Sequence, residues 1–423
     1  MKQLIILFLA CFTSAQAQET LTLDGVLKDA LSHHPISSQG ALIRESEKQT
    51  IAALNRNYLP QIMVSGQMTS QSDVTELPIQ IPFPGFTVEP LSKDQYRALA
   101  EAQLPVYDGG MTSAMKSVSR AQAQMEEGKR EVEEQKIRDR VRQLYLGILM
   151  ANEQLKQIAL VDADLQSGVT RLESAVQNGV AFRSQLSQMQ AEKLRNQQRR
   201  ITIVSDRRQM LDALGLLTGK TYGDDATLIA PEAAISSSFQ INRPELRLFD
   251  AQSNLIGSQR KSINSKLMPR LSLFGQSGYG KPGLNMLDNN PDWFYLGGAR
   301  LQWNLGALYG HWNERSANRI QQRIVASQRE AYTLGANITV NQFIRESEKL
   351  NLLLSSDAEL IALREEIMRA SKAQLDNGVI TSSDYIREVN AVDQARQQES
   401  LHRLQLILVH LEFIEYTTPK TNP

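Results

Sequence analysis

Proline spacing sets the first limit on what this chain can fold into. The 125 residues between Pro105 and Pro231 contain no proline, and neither do the 127 between Pro291 and Pro419. An interior proline removes a helical hydrogen bond and clashes with the preceding turn, so these two stretches are where helices can run unbroken. In the first stretch Ile137, Val141, Leu144, Ile148, Ala151, Leu155 and Ile158 step by four and three. After one slip of phase, Val161, Leu165, Val169, Leu172 and Val176 continue the pattern. Such an a/d seam is narrower than the face of a helix on a globular core and predicts coiled-coil packing. A helix over 112–176 would be roughly 100 Å long, more than a compact domain can hold. The second stretch repeats the steps at Leu360, Leu363, Ile367 and Ala370. A partner helix follows, with Val389, Val392, Leu401, Leu404, Leu408 and Leu411.

The stretches belong to a longer repeat. His34-Pro35, Leu59-Pro60 and Gly66-Gln67 return as Arg243-Pro244, Met268-Pro269 and Gly275-Gln276, all displaced by 209 residues. Asn178-Gly179-Val180 returns as Asn377-Gly378-Val379, displaced by 199, with Ser184 and Ser383 following at the same interval. The division is therefore a first repeat over 18–217, a linking segment over 218–242 and a second repeat over 243–423. Each repeat reads as a helix of roughly 25 to 35 residues ending before Leu59-Pro60 or Met268-Pro269, then a strand pair, then a long helix. Ile62, Val64, Tyr96, Leu99 and Leu104 to Tyr107 mark the first pair, around a proline-rich loop from Leu77 to Leu91. Leu271, Leu273, Leu296, Ala299, Leu301 and Trp303 mark the second, around a loop from Gly278 to Asp292. Alternating segments of this length are the weak signature of membrane β-strands. The long helices are expected after Gly110 and Gly310 and to turn at the Asn-Gly sites, where both residues tolerate positive φ.

Lys2, an apolar run from Leu4 to Phe12 and Ser14-Ala15-Gln16-Ala17 read as a signal peptide over 1–17. An alternative places a lipoprotein site at Cys11, the only cysteine. Cleavage after Ala17 leaves no thiol for disulfides or metal sites. With 46 basic and 46 acidic residues and no basic block, a nucleic-acid partner has no support. No later apolar run approaches the roughly 20 residues of a membrane helix, so a crossing would use strands. The five histidines, His33, His34, His311, His402 and His410, lack i, i+4 metal spacing, and no phosphate loop is present. No catalytic, cofactor or metal site is expected.

These features together resemble the TolC-like outer membrane factors over nearly the whole chain after residue 17. The likeness rests on Leu21-Thr22-Leu23-Asp24, the paired prolines, Pro105-Val106-Tyr107-Asp108-Gly109-Gly110 and both Asn-Gly-Val sites. The resemblance implies a mainly helical, internally duplicated chain. Three copies would close a 12-stranded barrel in outer-membrane lipid above a tunnel of long antiparallel helices, with the 215–242 segment in an equatorial belt. It implies a passive conduit from periplasm to exterior, partnered by a periplasmic adaptor and an inner-membrane pump. Asn178, Gly179, Val180, Ser184, Asn377, Gly378, Val379 and Ser383 would meet the adaptor. Asp384 would line the gate, with Arg387 one turn on and able to pair with it at i, i+3. The alternative is a periplasmic coiled-coil adaptor or structural protein, which would be soluble and lack the repeated strand pairs.

Overall fold

The computed structural model describes residues 20–75, 90–232, 234–235, 238–286 and 288–419. The expected signal peptide, Cys11 and most of the proline-rich loop lie outside these residues. In chain order the elements are β1 (Thr20–Leu21), α1 (Leu23–His33), α2 (Ile36–Asn55), β2 (Gln61–Ser70), β3 (Asp94–Tyr107), α3 (Met111–Gln177) and α4 (Arg183–Thr218). They continue with β4 (Thr227–Leu228), β5 (Phe239–Ile241), α5 (Pro244–Ser265), β6 (Arg270–Lys281), β7 (Asp292–Gln302), α6 (Ala307–Asp376), α7 (Ser382–Tyr416) and β8 (Thr417–Pro419). Helix, strand pair, long helix and returning helix thus occur twice in the same order. The helices α3 and α6 run for 67 and 70 residues. No described helix is both long and apolar enough to cross a membrane.

Three boundaries differ from the sequence reading. The opening helix is two: His34 is extended (φ −65°, ψ 138°) because the Pro35 ring disfavours the helical region, and the chain restarts at Ile36. Gly278 and Gly280 lie inside β6, where the sequence suggested a loop. Finally, α6 begins at Ala307, so Gly310 is within the helix.

The chain divides into two compact units, with α3 and α6 contributing to both. One, residues 40–129 and 247–331, carries the four-stranded sheet, ordered β2-β3-β6-β7 and antiparallel throughout. Pro105, which has no N–H for the ladder, sits where the β3–β6 register shifts. At the end of β3 the Asp108 carboxylate accepts from Gly110 N (2.9 Å) and Thr112 N (2.7 Å), capping the start of α3.

The other unit is residues 1–39, 130–246 and 332–423. Its largest core joins Leu21, Leu23, Val26 and Ala30 to Val141, Leu144, Tyr145 and Ile148 of α3 and Leu211 and Leu214 of α4. The parallel pair β1–β4 closes over it. The fully buried Tyr145 hydroxyl lies 2.6 Å from Leu21 O and 2.7 Å from Ile229 O, tying both segments to α3. The predicted α3 seam is buried at Val141, Leu144, Ile148, Ala151, Ile158, Leu165, Val169 and Leu172. Around Val141 to Leu149 burial is wider than a seam, because β1, α1 and β4 cover α3 there. In α6 the corresponding Leu360, Leu363 and Ile367 are exposed.

Candidate functional site

Paired residues on neighbouring strands share a face, so the register sorts the sheet into two surfaces. One carries Ile62, Val64 and Met68, then Ala98, Ala100 and Ala102, then Leu273 and Tyr279, then Trp293, Tyr295, Ala299 and Leu301. It is apolar, and it gathers Tyr96, Tyr279, Trp293 and Tyr295 at one end. The other carries Arg97, Glu101, Gln103, Ser272, Gln276 and Arg300. There the Gln103 amide donates to Ser272 Oγ (2.9 Å), the Gln276 amide donates to Glu101 Oε2 (2.8 Å), and Arg300 Nη1 lies 3.6 Å from Glu101 Oε1. Leu99 and Leu296, taken from the sequence as members of the apolar alternation, have the opposite parity and lie on this polar face. Glycines let β6 fit between its neighbours. A Cβ on Gly278 would stand 2.9 Å from Ala98 O and 2.6 Å from Phe294 Cζ, and one on Gly280 2.8 Å from Tyr96 O.

The second feature is the pair of helical turns. After α3 and after α6 the chain turns through Gly179 (φ +72°) and Gly378 (φ +71°), as the Asn-Gly signals predict. Val180 N donates to Ala175 O and Val379 N to Gln374 O, closing each helix end. Asn178, Gly179, Val180 and Ser184, and Asn377, Gly378 and Val379, are exposed; Ser383 is partly so. Between the turns lies a cavity of about 640 Å³ lined by residues of both, including Val180, Phe182, Gly378 and Ile380. Arg171 Nη1 holds both Asp376 oxygens (2.8 and 2.9 Å), and the buried Ser382 hydroxyl faces Gln185 O at 3.5 Å. Beneath them Leu165, Val169, Leu172, Met189, Tyr385, Ile386 and Val389 form a second core.

Asp384 and Arg387 do come together, with Arg387 Nη2 3.0 Å from Asp384 Oδ1. The sequence reading missed a further task for the aspartate. Thr381 Oγ1 accepts from Asp384 N (3.3 Å), while Asp384 Oδ2 accepts from Thr381 N (3.1 Å) and Thr381 Oγ1 (2.6 Å). This is a capping box, legible in Thr381-Ser382-Ser383-Asp384. Those Thr381 hydrogen bonds, with Arg387 adding, hold the carboxyl below its usual range. Also missed were Phe182, an exposed ring at the first turn, and the Arg171–Asp376 pair. No local signal pairs residues 205 positions apart.

The two histidines of α7 are engaged by polar side chains. His402 Nδ1 is 2.6 Å from Asp357 Oδ2, both buried, and His410 Nε2 is 2.8 Å from Ser347 Oγ. Among the described residues no cluster of His, Cys, Asp or Glu is placed to hold a metal ion.

A sheet with one apolar and one polar face, borne on very long helices that return through glycine turns, is an architecture this chain shares with solved outer-membrane channels. Residues 26–220 match the family model of the outer membrane efflux proteins. The family match ends at residue 220; beyond it, the likeness is one of fold. The outer membrane protein VceC from Vibrio cholerae is 14% identical with a TM-score of 0.68, covering 93% of this chain and 95% of that one. The Campylobacter jejuni CmeC outer membrane channel is 13% identical with a TM-score of 0.67, covering 95% and 87%. The open state of the Neisseria gonorrhoeae MtrE outer membrane channel is 12% identical with a TM-score of 0.62, covering 93% and 88%. No curated protein matches by sequence. The family and these neighbours are channels and not enzymes, in line with the sequence reading.

Proposed function

We propose that this chain is the outer-membrane subunit of a tripartite efflux or type I secretion system, a passive conduit from periplasm to exterior. The observation that carries the reading is the sheet itself: its apolar face suits lipid, and β2 and β7 each leave one edge without a partner among the described residues. Unpaired backbone groups are untenable in hydrocarbon, and symmetric association removes both edges. Three copies give a 12-stranded barrel with the polar face inward. The repeated element order supports an internal duplication with halves at 18–217 and 243–423. The segment 218–242 then belongs to the equator, residues 1–17 direct export, and Cys11 leaves with them. Cross-linking of detergent-extracted protein should give a ladder ending at the trimer. Quantitative recovery as a monomer in the aqueous periplasmic fraction would refute the channel reading and favour a soluble coiled-coil adaptor.

The hairpin turns are the surface for the adaptor, which links the conduit to an inner-membrane pump. Exposed Val180, Phe182 and Val379 supply apolar contact, and Asn178, Ser184, Asn377 and Ser383 a polar rim. Asp384 and Arg387 line the periplasmic constriction, the aspartate also capping α7. The test therefore uses Asp384→Asn, which removes charge while keeping an acceptor for Thr381, beside Arg387→Ala. Altered cation selectivity from the first and larger single-channel conductance from the second support the gate. Wild-type currents from both remove them from it.

A further inference from the structure

The polar face of the sheet carries apolar groups that its role as a water-filled wall does not account for. By register Met63, Leu99, Phe274, Phe294 and Leu296 lie on it, and Met63 is 69% and Leu296 45% exposed. Lipid accounts for exposed apolar side chains on the opposite face, but on this one they form a patch turned to water. Two guanidinium groups stand among them. The Arg300 guanidinium is 4.6 Å from the centre of the Phe274 ring, and that of Arg97 is 5.6 Å from the centre of Phe294. Glycines make the room. The Phe294 ring lies over Gly278, where a Cβ would come within 2.6 Å of it, and a Cβ on Gly280 would come within 3.3 Å of Arg97 Cβ. Along the strands the rows are Arg97–Gly280–Asp292, then Leu99–Gly278–Phe294, then Glu101–Gln276–Leu296. Arg97 therefore stands directly above an apolar row. The acids nearby are Glu101, engaged by Gln276 and Arg300, and Asp292, two strands from Arg97 or roughly 10 Å away.

We propose that this belt binds organic anions with an apolar or aromatic body, the acid group on Arg97 and the body against Phe294, Leu99 and Leu296. The proposal rests on the barrel reading, in which this face lines the lumen. A flat ring with a guanidinium 5.6 Å from its centre matches an amphipathic anion in both charge and shape. An inorganic anion would gain only the charge, and an organic cation only the apolar contact.

The test is current through trimers in planar bilayers, with 2-naphthalenesulfonate, inorganic sulfate or naphthylmethylammonium added to both sides. Reversible block by the sulfonate at concentrations where the other two leave the current unchanged supports the site. Arg97→Gln should weaken that block about tenfold, the expected loss of one charge-assisted hydrogen bond. Leu296→Ser should weaken it as well, through lost apolar contact, and Arg97→Lys should retain part of it. Equal block by the sulfonate and the ammonium compound, or block unaffected by Arg97→Gln in a conducting trimer, overturns the proposal and leaves the channel reading standing. Trimers that insert and carry no current under any condition overturn the barrel reading beneath it.

Discussion

At the residue scale, two kinds of position hold the helical part together, and they fail differently. Tyr145 is a buried hydroxyl shared by two carbonyls from distant segments. Tyr145→Phe leaves both acceptors without that donor and should cost about 1–2 kcal/mol of stability, measured by thermal unfolding of the trimer. Burial pushes its phenol up to about 12. Because the folded value is raised, its contribution is intact below pH ~10 and is lost as pH rises from there towards 12. The alkaline loss of stability should therefore be smaller in Tyr145→Phe than in the native protein. Gly179 and Gly378 are the opposite kind. Both need positive φ, yet a built Cβ meets nothing within 4 Å at either, so a valine is strained by conformation alone, about 1–2 kcal/mol each. Gly179→Val with Gly378→Val should leave trimers in the membrane and abolish efflux in cells. Loss of the trimers would show that the glycines serve folding instead of docking.

At the scale of elements, the sheet discriminates between glycines that look alike in sequence. Gly275 and Gly278 lie three residues apart on β6 and so face opposite sides. A Cβ on Gly275 finds open space, whereas one on Gly278 meets the Ala98 carbonyl of the neighbouring strand, which cannot step aside. Gly275→Ala should give native amounts of heat-resistant trimer on gels. Gly278→Val should give little, because β3 and β6 cannot keep their register. Native yield from Gly278→Val would mean that the central pairing is looser than the geometry described here.

At the scale of the whole molecule, the two long helices present contrasting seams. Leu165 and Val169 of α3 are buried within one chain, while Leu363 and Ile367 of α6 are 59% and 45% exposed. An apolar stripe left bare on one copy is what association with another would cover. Leu363→Asp with Ile367→Asp should abolish the cross-linked trimer while leaving helical content intact by circular dichroism. Leu165→Asp should lower the helical content itself, at about 3–5 kcal/mol for a buried unpaired charge. Trimers surviving the α6 pair would exclude that stripe from the interface.

Much of this was legible in the chain, because its strongest signals are local. Proline-free stretches and steps of four and three specify long helices whatever surrounds them, and Asn-Gly specifies where they turn. The twofold order of these signals also carried the family resemblance. What escaped the sequence depends on contacts between distant segments. Alternation alone could not assign Leu99 and Leu296 to a face, since their parity has meaning only once β3 is registered against β6 and β6 against β7. Gly278 and Gly280 read as loop residues because glycine usually breaks a strand. Only the pairing revealed Phe294 and Arg97 occupying the space that they leave. The pairing of Asp384 with Arg387 was open to the sequence reading, but the aspartate's hydrogen bonds to Thr381 have a geometry that exists only once α7 has formed. Equivalent seams on α3 and α6 look the same in sequence, and tertiary packing alone decides that one is buried within the chain and the other left exposed.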